Sequence, residues 1–226
     1  MPSASHLWWK LMEVRARGIA CRVRRFAETS VIVQWITEDA GRVSTLAKGA
    51  GRPKSPFAGR LDLLVEADIS YVASRRSELH TLREVEVIGR CEKVAAEFAA
   101  LQLAACAIHE LELATEPDTP LEGIFPLFKD FLSSLNRDGA KPRLILAWEA
   151  RLLEIMGFDP AEEAASLSSD SLVLLQELSS LPWDELASIA PSGSAVREVT
   201  GFLGRRFENH FGRMPKGRED VFPRAR

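Results

Sequence analysis

At 226 residues the chain is longer than one typical domain and short for two large ones, so a small module joined to a larger one is expected. With 46% hydrophobic and 27% charged residues it is neither disordered nor membrane-embedded, and Glu110, Lys129 and Glu149 interrupt the longest apolar runs before they reach the roughly 18 to 20 residues of a spanning helix. The net charge of -3 averages unlike regions: residues 1–60 hold 11 Lys/Arg against 4 Asp/Glu, residues 91–196 hold 6 against 18, and residues 197–226 hold 8 against 4, so two basic ends suited to a polyanion flank an acidic middle.

The N-terminal stretch with His6, Trp8, Trp9 and Lys10 lacks the basic, apolar and small-residue order of a secretory signal, which makes a cytoplasmic protein the expectation. Residues 1–17 read as an extension, partly disordered, and Met12 is an alternative initiator. Strand patterning then runs from Gly18 to Gly89. The segments Ile19–Phe26, Ser30–Thr37, Arg42–Lys48, Leu61–Val72 and Leu79–Ile88 are rich in β-branched or apolar residues, with turn residues at Glu38–Gly41 and Ser74–Ser77. Five short strands in some 70 residues predict a closed or nearly closed barrel, which leaves no exposed edge, and the OB-fold is the five-stranded form. Trp35 and Tyr71 fall within apolar strands and are expected in its core.

Beyond Arg90 the period becomes helical. Val94, Phe98, Leu101, Ala105, Ile108 and Leu111 make one apolar face, and Ile124, Leu127, Phe128, Phe131, Leu132 and Leu135 make a second. A third helix starts at Pro142 and stops at Gly157, a left-handed cap. Residues 159–169 read as a loop; helices resume over Asp170–Leu178, Trp183–Ile189 and about Ser194–Phe211. The fold class is therefore α+β, with a five-stranded barrel over 18–90 and an all-helical domain over 91–226.

Chemistry is sparse. Cys21, Cys91 and Cys106 form no Cys-x-x-Cys pair, and the four histidines stand at no ligand spacing, so neither a disulfide framework nor a metal site follows. Residues 48–55 bear a superficial likeness to a phosphate-binding loop, but Pro53 and Pro56 oppose the helix such a loop must start. No nucleophile has a base or oxyanion motif, the carboxylates read as solvated helix faces, and the chain is expected not to be an enzyme. What remains is a basic loop with Lys48, Arg52, Lys54 and Arg60, beside a first strand that places Arg22 and Arg24 on one face next to Arg25. Such residues can follow a nucleic-acid backbone; the alternative is a solvated turn whose charges maintain solubility. Phe57, inside the basic loop, is the expected base-stacking residue. No helix-turn-helix or zinc-finger pattern suggests base-specific readout.

The run Gly18-Ile19, Arg24-Arg25-Phe26, Glu28-Thr29-Ser30, Gly41, and above all Ala47–Ser55 followed by Phe57-Ala58-Gly59, resembles the N-terminal OB-fold of RecO, the bacterial recombination mediator. Leu82-Arg83-Glu84, Trp148–Phe158 and Gly204–Lys216 are similar to later parts of that family. The resemblance implies a protein of DNA repair that binds single- and double-stranded DNA, anneals complementary strands, works with RecR, recognises the acidic C-terminal tail of single-stranded-DNA-binding protein and so assists RecA loading. It assigns phosphate contacts to Arg24, Arg25, Arg42, Lys48, Arg52 and Lys54, and a second basic surface or partner groove to Arg197, Arg205, Arg206, Arg213, Lys216 and Arg218. Many members hold zinc through four cysteines, two of them soon after the position of Gly157-Phe158; residues 161–169 contain no cysteine, so no zinc or other cofactor is expected. The alternative reading is an interaction adaptor whose helical domain binds partners while DNA binding is incidental.

Overall fold

A computed structural model describes residues 13–222, leaving aside the side chains of 161–163. Five strands, β1 (Glu13–Ala27), β2 (Ser30–Thr37), β3 (Gly41–Ala47), β4 (Val65–Val72) and β5 (Leu79–Arg90), close in the order β1-β2-β3-β5-β4. Neighbours are antiparallel except β3 and β5, which run parallel. This is the OB-fold expected from the sequence. β1 can serve two neighbours because it is long: Glu13–Ile19 pair with β4 and Gly18–Ala27 with β2.

Period-2 alternation fills the barrel with Ala20, Val33, Trp35, Val43, Ile69, Tyr71, Leu82 and Val85. Trp35 and Tyr71 are buried as expected, and the Trp35 indole is satisfied by donating to Thr45 Oγ1 at 2.9 Å. Of the expected N-terminal extension, residues 1–12 lie outside the described residues, while 13–17 are the start of strand β1 and pair with Asp68–Val72 of β4. β4 starts at Val65 rather than Leu61, because 61–64 end in a turn with Leu64 at positive φ (60°), whose amide donates to Ala20 O.

The described residues up to Arg90 form one compact unit together with Pro117–Pro120, and Cys91–Glu116 with the residues from Leu121 onward form another. The short 117–120 segment lies along β3: Asp118 N donates to Arg42 O, and Asp118 Oδ1 meets His80 Nε2 at 2.9 Å. Gly41 permits this approach, since a Cβ there would sit 2.1 Å from Thr119 O. His80, stacked on Tyr71, takes the Ser74 amide on Nδ1 and so anchors the β4–β5 turn.

The second unit contains α1 (Glu92–Ala96), α2 (Phe98–Ala114), α3 (Ile124–Asp138), α4 (Pro142–Ile155), α5 (Ser169–Ser180), α6 (Gly193–Phe211) and α7 (Arg218–Val221). The first expected helix is two, divided at Glu97, whose backbone is extended. The expected loop at 159–169 holds a 3-10 helix over Pro160–Ser166, and the helix expected at 183–189 shrinks to a 3-10 turn at Glu185–Ala187. α4 is the hub: Trp148 is fully buried with Phe128 and Phe131 at ring separations of 5.7 and 5.4 Å. Arg151, on the same helix, lies 4.4 Å over Trp183 and donates to Leu178 O and Leu181 O at the end of α5. Among the described residues no helix is long and apolar enough to cross a membrane.

Candidate nucleic-acid interface

One end of the barrel gathers most of the expected cations. The ladder aligns Arg25 with Val31 and Val31 with Ala47, so the end of β1 and the start of the basic loop lie two strand spacings apart, about 10 Å. Gly51 N then donates to Thr29 O at 3.0 Å, which ties the loop to the β1–β2 turn. The loop itself is a succession of tight turns, with Arg52 N on Gly49 O, Ser55 N on Arg52 O and Ala58 N on Ser55 O. No helix follows Ser55, in keeping with Pro53 and Pro56. Arg24, Arg25, Lys48, Arg52 and Lys54 are exposed at this end, and Arg22 is exposed at mid-strand, level with Gln34 and Ser44. Among the described residues, no carboxylate pairs with Arg24, Arg25, Lys48, Arg52 or Lys54.

One barrel expectation is corrected, and two other expected residues lie apart from this end. Phe57 does not face solvent: it is 6% exposed and plugs the barrel core, which anchors the loop from inside. Periodicity could not show this because the residue lies in a turn. Arg42 sits at the opposite end of β3, six residues and about 20 Å from Lys48, half-buried beside Pro117. Arg60 turns away to donate to Val85 O at 2.9 Å. It lines a separate groove of about 1070 Å³ on β1, β4 and β5, where Arg15, Arg83 and Arg90 are interleaved with Asp68, Glu84 and Glu86. That face is charge-compensated, with Arg17 paired to Glu66 at 2.8 Å, and offers a polyanion little net attraction. Sequence reasoning passed over Arg75 and Arg76, exposed in the β4–β5 turn. They lie toward the Arg42 end of the barrel, because β5 runs parallel to β3 with Leu79 beside Ser44.

In the helical unit the second basic surface divides. Arg197, Arg205, Arg213 and Lys216 are exposed, with Arg197 and Arg205 two turns apart along α6. Arg206 and Arg218 are buried, which removes them from any surface. Arg206 contacts His210 Nε2 at 3.1 Å. Arg218 enters the interior between α2, α4 and α6 and grips Glu149 with Nε at 2.7 Å and Nη2 at 2.9 Å, while Nη2 also donates to Thr200 O. Glu110 and Glu149, expected on solvated faces, are fully buried. Glu110 accepts from Trp148 Nε1 at 2.7 Å, and burial together with the Glu149 charge holds its carboxyl far above the usual carboxylate range. Glu110, Glu149 and the Arg218 guanidinium thus meet in one buried cluster, and a dry interior tolerates such groups only when they are paired and hydrogen-bonded. Burial next to Glu110 likewise pushes the Cys106 thiol up. Among the described residues no three His, Cys, Asp or Glu side chains are placed to hold a metal ion.

An OB barrel with a cationic end, followed by helices, defines the class of protein. Residues 12–90 match the family described as Recombination protein O N terminal. The chain is 31% identical over 150 residues to the DNA repair protein RecO of Rhodopirellula baltica, covering 66% of this chain and 56% of that one. It is 32% identical over 136 residues to the DNA repair protein RecO of Nitrosospira multiformis (59% and 53%), and 28% over 148 residues to that of Symbiobacterium thermophilum (64% and 56%). The chain thus spans a little over half the length of the curated relatives it matches. Its barrel is thus similar to the RecO N-terminal domain, and about two thirds of the chain is similar to RecO proteins.

Proposed function

We propose that this chain is a non-enzymatic DNA-binding mediator of recombinational repair. Its barrel binds single- and double-stranded DNA through the phosphates and anneals complementary strands. The observation that carries this reading is the cationic barrel end, where Arg24, Arg25, Lys48, Arg52 and Lys54 stand together in solvent. Exposed cations on a rigid frame release counterions from a phosphate chain without reading its bases. The RecO relationship supports the further roles: cooperation with RecR, recognition of the acidic tail of single-stranded-DNA-binding protein, and assistance to RecA loading in the cytoplasm. For that acidic tail, the exposed Arg197, Arg205, Arg213 and Lys216 are the complementary surface.

Titration of labelled DNA at several salt concentrations tests the DNA-binding part. The double variant Arg52→Ala and Lys54→Ala weakens binding to any sequence and lowers the slope of log K against log salt by about 0.9 for each lost contact. An unchanged slope in the folded variant rejects the interface.

A further inference from the structure

The cationic end carries an exposed aromatic ring that the phosphate reading does not use. Four residues in the described barrel bear Phe, Trp or Tyr rings, and Trp35, Phe57 and Tyr71 are buried at 0, 6 and 3% exposure. Phe26 is 60% exposed. Its position is set by an irregularity in the ladder: β1 pairs Arg25 with Val31 and Ala27 with Ser30, so Phe26 is the extra residue of a β-bulge. A bulge frees one residue from the pairing and re-aims its side chain. Arg24 and Arg25 precede Phe26 directly, and the Thr29 carbonyl that fastens the basic loop lies three residues on.

We infer that Phe26 is a stacking platform for an unpaired nucleobase, so that the cationic end holds single-stranded DNA with one base laid on the Phe26 ring and the neighbouring phosphates on Arg24, Arg25 and the basic loop. This inference rests on the reading of that end as the DNA interface. Every base presents a flat π-face, so the contact tolerates any sequence. In a duplex both faces of a base are already covered by its stacked neighbours, so the ring favours unpaired strands while the cations attract both forms. Phe26 therefore supplies the discrimination between strand types that charge alone does not.

The experiment uses the full chain with three labelled ligands: oligothymidylate, a duplex of equal length, and a strand of equal length whose bases are replaced by abasic sites. Phe26→Ala weakens oligothymidylate binding roughly 5- to 150-fold, the effect of losing one base stack, and leaves the salt slope unchanged because no charge is removed. Binding of the duplex and of the abasic strand changes by no more than about twofold, as for an ordinary surface substitution. Phe26→Trp retains the wild-type affinity for oligothymidylate. An unchanged affinity for oligothymidylate in Phe26→Ala, or an equal loss on all three ligands, overturns the inference. If the wild-type chain binds all three with a steep salt dependence while Phe26→Ala is silent, only the stacking role falls. If the wild-type chain shows no salt-sensitive binding, the DNA interface itself falls, and that is seen before any variant is made.

Discussion

In the barrel, Arg24 and Arg25 stand in solvent beside Lys48, Arg52 and Lys54, whereas in the helical unit Arg218 lies buried against two fully enclosed carboxyl groups. Both sets occupy basic stretches that look alike in sequence. What separates them is the company the fold supplies. The barrel interleaves Glu66, Asp68, Glu84 and Glu86 with arginines on another face, and among the described residues no carboxylate pairs with Arg24 or Arg25 at the end of β1. The helices bring Glu149 to meet Arg218 across 69 positions of chain. A cation commits to structure when a desolvated carboxylate awaits it, and remains available for binding when none does.

That contrast can be broken most forcefully at Arg218. Arg218→Ala strands Glu149 as an unpaired buried charge, so chemical denaturation should show a loss of about 3–5 kcal/mol, with DNA affinity per folded molecule unchanged. A smaller loss is expected from Gly204→Ala. Its Cβ would lie 2.6 Å from Arg218 Nη1, and that guanidinium cannot swing aside while its Nε and Nη2 hold Glu149 and Thr200 O. Overpacking of this kind typically costs about 1–3 kcal/mol, which outweighs the roughly 1 kcal/mol of helix propensity that alanine offers over glycine. Double-mutant analysis of Gly204→Ala with Arg218→Ala sharpens the point, because the clash disappears once the guanidinium is gone.

The finest effect is a slope. Glu110 holds its proton in the folded chain well above the range where the unfolded chain releases it, so the folded state binds the extra proton between those two values. Stability from this group is complete below the ordinary carboxylate range and declines as pH rises toward the raised value, by up to about 1.4 kcal/mol per pH unit. Glu110→Gln keeps a donor toward Glu149 and an acceptor for Trp148 Nε1 without a titrating proton. Denaturation midpoints followed from mildly acidic to alkaline pH should therefore lose that slope in the variant.

The barrel was legible because its strands alternate and its turns contain the residues turns require; Trp35 and Tyr71 declared themselves core by sitting inside apolar strands. The cationic cluster was legible too, since Arg22 and Arg24 share a strand face by parity. Phe57 was not, because a residue in a turn has no periodicity to reveal which way it points, and its role as a plug depends on strands distant in sequence. Arg42 and Lys48 belong to one strand in the sequence, yet strand rise carries them to opposite ends of it. Glu110 and Glu149 each look like one polar residue on an amphipathic helix. Only the meeting of α2 and α4, with Arg218 arriving from α7, turns them into an internal ion cluster.

The Pro117–Pro120 segment has a consequence for how the molecule is made. A chain emerging from the ribosome has all five strands once Arg90 is out, but the Arg42 carbonyl and the His80 imidazole still await Asp118. The barrel is therefore completed only after α1 and α2 have been synthesised. A fragment severed after Arg90 is an unfinished domain rather than a miniature of the native one, and the two units share a birth order that a single cut in the sequence does not respect.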